Sequence, residues 1–116
     1  MSNRRPKADL TGKQRSQLRG LGHALEPVVQ IGHQGLTEGL FEAVHEALAH
    51  HELIKVRVGK NVPDPDKKAL QDALCERLGA HGVQSVGRVL LMYRQAKDPE
   101  DRKIKLVAAK KPEASE

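Results

Sequence analysis

The stretch from Pro27 to Gly39 constrains this chain more than any other, because its pattern changes character twice within a few residues. Pro27-Val28-Val29-Gln30-Ile31 is a short, β-branched apolar run and reads as a strand. Gly32-His33-Gln34-Gly35 follows, two glycines three apart. Neither carries a Cβ, so a backbone can come close to another backbone there. Thr37 then offers a hydroxyl cap to a helix running to about His50, with Leu40, Phe41, Val44, Ala47 and Leu48 on one face. A strand, a Gly-x-x-Gly turn and a helix N-terminus in succession make a cradle for phosphate. Glycine pairs also occur in ordinary strand-to-helix connections, so the motif alone fits both readings.

The surrounding periodicities extend this pattern. Thr11 to Leu21 reads as a first helix, with Leu10, Leu18, Leu21 and Leu25 marking its apolar side and Gly20 and Gly22 as stops. Leu53 to Val58 alternates: Leu53, Lys55 and Arg57 point one way, and Ile54, Val56 and Val58 the other. That strand has one apolar and one largely cationic face, which is either open to solvent or covered through the aliphatic stems of the cations. A third helix is predicted with Asp64 as cap and Pro65 in its first position. Its stripe is Ala69, Leu70, Ala73, Leu74 and Leu78, and Gly79 ends it. Val83–Val86 and Val89–Tyr93 are strands joined by the tight link Gly87-Arg88. The order α-β-α-β-α-β-β predicts an α/β fold, a single domain with a mixed four-stranded sheet and covering helices. Residues 1–9 read as a flexible basic N-terminus and 10–94 as the folded domain. Residues 95–116 read as a polar tail, with a short strand near 104–107.

The charge balance selects among functions. The 116 residues carry a formal net charge of +5, which favours a polyanionic partner. Lys13, Arg15 and Arg19 lie along the first helix, Lys55, Arg57 and Lys60 around the second strand, and Arg88 and Arg94 in the last hairpin. Aromatic residues are only 2 % of the chain, namely Phe41 and Tyr93. A sheet that reads single strands by stacking bases on aromatic rings is therefore excluded. Binding must lean on phosphates, sugars and shape.

Enzymatic motifs are missing at the required spacings. His45 and His50 are five apart, which turns them about 140° from each other around a helix and prevents one helix from aiming both at a metal. No Gly-Lys-Ser/Thr follows Gly32, as a nucleotide-binding P-loop requires. The single cysteine, Cys75, sits in an apolar pattern and reads as a buried core residue. With no second cysteine and no apolar run of membrane-spanning length, a cytoplasmic protein without catalytic residues, metal or cofactor is expected.

Several segments together are similar to a known family. They are Leu10-Thr11-Gly12-Lys13-Gln14 with Leu18-Arg19, Pro27 to Gly32, and Gly35-Leu36-Thr37-Glu38-Gly39. They continue with Glu52-Leu53-Ile54-Lys55-Val56, Gly79 with Val86-Gly87, and Leu91-Met92-Tyr93-Arg94. In this order they resemble the CRM domain, the chloroplast RNA splicing and ribosome maturation domain, in its stand-alone bacterial YhbY form. The resemblance implies an α/β domain like the C-terminal domain of translation initiation factor three. It also implies RNA binding through the Gly-x-x-Gly loop and neighbouring cations. Bacterial members are associated with precursors of the large ribosomal subunit, and plant relatives with organellar intron splicing. Two positions depart from the family pattern. His33 stands where many members have a basic residue, and Gln95 follows Arg94 where plant members have a glycine.

The expected function is RNA binding in large-subunit assembly, by a monomer, with no membrane and no small-molecule substrate. Gly32 and Gly35 would bring the backbone to phosphates, and His33 and Gln34 would add polar contacts. Lys13, Arg19, Lys55, Arg57 and Arg94 would supply the cationic surface. Two rivals stand beside it: a module docking on a ribosomal protein with RNA binding incidental, and a small hydrolase or metal enzyme.

Overall fold

The structure is a computed structural model and describes residues 10–60, 62 and 67–107. The predicted cap of the third helix, at Asp64 and Pro65, lies outside the described residues, as do the N-terminus 1–9 and the tail 108–116. Three helices and four strands follow in the predicted order: α1 (Gly12–Gly22), β1 (Pro27–Ile31), α2 (Glu38–His51), β2 (Leu53–Val58), α3 (Lys67–Leu78), β3 (His81–Val86) and β4 (Val89–Tyr93). A short 3-10 turn, Pro99–Asp101, comes after them. The sheet order is β1-β2-β4-β3, with β1 parallel to β2 and the other two pairings antiparallel. It is mixed, as the alternation of elements requires.

Thr37 and Gly79 form helix ends where the sequence predicts them, and α1 is capped at Thr11. Thr11 accepts from the N–H of Gln14, whose side chain accepts from the Thr11 N–H in return, a reciprocal capping box. Thr37 caps α2 by accepting from Leu40 N–H at 3.1 Å. At the end of α3 the Ala80 N–H reaches back to the Cys75 carbonyl across Gly79, whose φ is 67°.

The two faces of β2 build two cores. Ile54, Val56 and Val58 join Ile31, Val44, Leu48, Leu74, Leu90 and Met92 beneath α2 and α3. On the other side Leu53 packs with Leu18, Val83, Leu91 and Tyr93 beneath α1. Leu18 is fully buried, and that burial contributes about 2 kcal/mol to seating the helix. The cationic face of β2 is thus covered at one end and open at the other. Leu53 lies under α1, Lys55 is half-buried, and Arg57 is exposed.

Three elements depart from the predicted pattern. In α1, Leu21 faces solvent at 45 % exposure instead of joining the apolar side, and the helix runs through Gly20 to Gly22. In α3, Ala69 is exposed and Gln71 is buried in its place. The ladder between β3 and β4 shifts register between Gly82 and Gln84, and the Gln71 amide donates to the Gln84 and Leu91 carbonyls there, each at 3.1 Å. A buried carbonyl left without a donor is costly, so a polar side chain displaces an apolar one from the stripe. Residues 104–107 form no strand. They run beside α1, where Gln17 accepts from Val107 N–H and donates to the Lys105 carbonyl, and Gln14 donates to the Val107 carbonyl. Side-chain amides thus replace the ladder that alternation suggested.

Glu52 holds this returning segment. It is 1 % exposed, and its carboxylate accepts from the N–H groups of Ala96 (2.7 Å), Lys103 (2.8 Å) and Ile104 (3.0 Å). Its own backbone ends α2 at φ 64°, a conformation rare outside glycine.

Candidate nucleic-acid interface

The Gly-x-x-Gly turn projects from the C-terminal end of β1. Gly35 N–H donates to the Gly32 carbonyl at 2.9 Å, closing a turn with His33 and Gln34 exposed at its tip. The two glycines have different tasks. Gly35 has φ 74°, so the turn itself requires a residue without a Cβ penalty. Gly32 has an ordinary φ, and a Cβ built there would meet nothing within 4 Å. The turn depends on the second glycine, and the first leaves free space outward, where a ligand backbone can approach. This gives a direct test. Gly35→Ala is expected to lower stability by about 1 kcal/mol in a denaturant melt, and Gly32→Ala to leave it unchanged.

The helix N-terminus is less open than the sequence suggests. Thr37 already takes the Leu40 N–H, and Glu38 places a carboxylate in the first turn of α2. Arg77 offsets that carboxylate with a 2.6 Å contact, and this hydrogen bond holds the Glu38 carboxyl below its usual range. The same guanidinium lies 4.2 Å from the centre of the Phe41 ring and covers it. Free amides for a phosphate therefore belong to the turn more than to the helix.

The sheet brings cations to the turn. Ile31 pairs with Val58 and Gln30 with Arg57, so Arg57 stands beside the residues that enter Gly32. Gly59 lies against Ile31: its N–H donates to the Ile31 carbonyl at 2.9 Å, and an added Cβ would sit 2.9 Å from that same oxygen. This close approach fixes the exposed Lys60 next to the turn. The β3–β4 hairpin joins from the other side, with Arg88 donating to the Gly59 carbonyl at 3.1 Å. Lys60 and Arg88 belong with this group more closely than the sequence assigns them. The signal for them is the glycine that precedes each one.

Lys13 and Arg19 lie on α1, on the side of the sheet from which Lys55 and Arg57 project. Arg94 does not join them. It sits on the opposite side, and its guanidinium donates to the Leu78 carbonyl at 3.0 Å and the His45 carbonyl at 3.2 Å, with His45 Nδ1 at 3.1 Å. Half-burial lowers its pKa by desolvation. Arg94 therefore stands apart from the cations at the turn, and its guanidinium ties the end of β4 to the middle of α2 and the last residue of α3. It reads as a surface cation because strand alternation does not show which face a helix covers.

The Cys75 thiol and the Tyr93 phenol are both pushed up by burial. Burial pushes the Cys75 thiol up to about 12, so it is no nucleophile near neutral pH. Tyr93 is 1 % exposed, with its phenol pushed up to about 12 by burial and by the neighbouring Glu52. Among the described residues no three His, Cys, Asp or Glu side chains stand together as a metal site, and no helix is long and apolar enough to cross a membrane.

Comparison with known proteins gives the family and the fold. The family model of the CRS1/YhbY (CRM) domain matches residues 10–94. The chain belongs to the CRM domain family. A relative in Pseudomonas aeruginosa, described as a probable RNA-binding protein, is 42 % identical over 90 residues, covering 78 % of this chain and 86 % of the relative. One in Haemophilus influenzae, described as an RNA-binding protein, is 41 % identical over 97 residues, covering 84 % of this chain and 94 % of the relative. The fold is shared with the solution structure of a hypothetical protein from Staphylococcus aureus. The TM-score is 0.68 at 35 % identity, over 83 % of this chain and 99 % of that one. Within the CRM match lie the turn, the cations of β2 and α1, and Arg94.

Proposed function

We propose that this CRM domain holds RNA by its backbone, catalyses no reaction on it, and serves in assembly of the large ribosomal subunit as a cytoplasmic monomer. The observation that carries the RNA reading is the placement of one exposed turn. Gly32 faces open space there, and Arg57, Lys60 and Arg88 stand at the same end of the sheet. Backbone amides and a free Cα face accept a phosphodiester, and the cations give it affinity without reading sequence. His33 contributes a hydrogen bond at the tip where a fixed charge would add attraction, so the sheet and α1 cations carry most of the electrostatic term. The relatives described as RNA-binding support the same reading. The ribosomal role rests on the family resemblance.

A salt titration tests the RNA reading. With about four phosphates neutralised, log K is expected to fall against log salt with a slope of about −3. A slope near zero on structured RNA overturns it. Crosslinking with sequencing in growing cells tests the ribosomal part. Footprints on large-subunit precursor RNA support it, and footprints confined to messenger or small RNAs remove it while leaving RNA binding in place.

A further inference from the structure

The turn borders a cleft whose far wall plays no part in holding phosphate. It is a groove of about 480 Å³, largely open to solvent. One wall is the backbone of β1, the outer strand of the sheet, whose far edge no other strand pairs among the described residues. Ile31 turns its carbonyl inward to Gly59 N–H. In a parallel ladder successive residues turn their N–H and C=O to alternate sides, so those of Gln30 point outward along the cleft. The opposite wall is aliphatic, formed by Leu40 and Ala43 of α2, with Val28 at the rim. The turn closes one end.

A slot with aliphatic walls, an edge of backbone donors and acceptors, and a phosphate-suited turn at its mouth has a definite complement. That complement is a flat group with apolar faces, a hydrogen-bonding rim and a phosphate attached. We propose that this cleft takes an unpaired nucleobase of the bound RNA. Its rim bonds the outward backbone at Gln30, while Gly32–Gly35 holds the adjoining phosphate. The proposal rests on the RNA-binding reading and deepens it by naming the substrate class, RNA with a single-stranded segment. A paired base cannot enter, because its rim is occupied and both of its faces are stacked. Aliphatic contact is the means this chain has, since Arg77 covers the Phe41 ring and Tyr93 is buried.

Fluorescence anisotropy with an unstructured oligoribonucleotide and a blunt RNA duplex of equal length tests this. The full chain is expected to prefer the single strand by about tenfold. Ala43→Trp fills the slot from an exposed position on α2 and is expected to remove that preference while duplex affinity stays unchanged. Amide shifts of the unaltered protein, titrated with the single strand, give a readout that needs no variant. Gln30 and Ala43 should be among the residues that move. Equal affinity for both RNAs, an Ala43→Trp variant that keeps the preference, or shifts that bypass Gln30 and Ala43 each overturn the cleft proposal alone. Failure of the unaltered protein to bind either RNA overturns the RNA reading itself.

Discussion

Replacing Glu52 by alanine is expected to lower folding stability by about 3 kcal/mol and the melting temperature by 10–20 °C, the largest effect of any single change considered. The carboxylate accepts three backbone N–H groups from the segment returning after β4, and it is buried. Without it those donors lose a charged acceptor and cannot all regain water unless the segment detaches. Hydrogen exchange should therefore show protection lost at Ala96, Lys103 and Ile104, with the central strands retaining theirs. Glu52→Gly separates the two tasks of the residue. It loses the same bonds but relieves the φ of 64°, and it should be about 1 kcal/mol more stable than the alanine variant. If Glu52→Ala melts within about 0.5 kcal/mol of the parent, the carboxylate is not what holds the segment.

Converting His33 and Gln34 together to aspartate is expected to weaken RNA binding by about 30-fold, or 2 kcal/mol, and to leave the melting temperature unchanged. Both side chains are exposed at the tip of the turn, so two new charges cost the fold little. Beside a phosphate each contributes about 1 kcal/mol of repulsion even in water, and more where solvent is partly excluded. His33→Ala with Gln34→Ala, which removes polar contacts without adding charge, should cost only about threefold. Crosslinking to RNA that survives the double aspartate change contradicts the proposed clamp and favours docking on a protein surface instead.

The fold was legible because its signals are local. Thr11 and Thr37 announce helix starts through hydroxyls that their own neighbours use, and the alternation of Leu53 to Val58 assigns each residue to a sheet face. The site was legible only in part. Gly32-His33-Gln34-Gly35 marks a turn, but the sequence does not say which glycine the turn itself needs. Arg57 and Arg94 are both basic residues in or beside strands, yet one faces solvent beside the turn and the other is bound to helix carbonyls. That difference depends on where α2 and α3 pack, which no spacing encodes. Glu52 belongs to a segment shared with the family, but nothing local shows its role, because its partners lie 44 to 52 residues away.

By itself the sequence determined the element order, the two-faced β2, the lack of rings for base stacking and the membership in the CRM family. These follow from period, composition and motif, which act over a few residues or over the whole chain at once. Only the tertiary structure decided that α1 covers just one end of the cationic face and that the half-buried Arg94 binds carbonyls of α2 and α3. It alone placed residues 95–107 back against Glu52 and α1, and opened a cleft along the free edge of β1. Each of these is a contact between distant segments, fixed by which surfaces pack and which buried polar groups must find a partner.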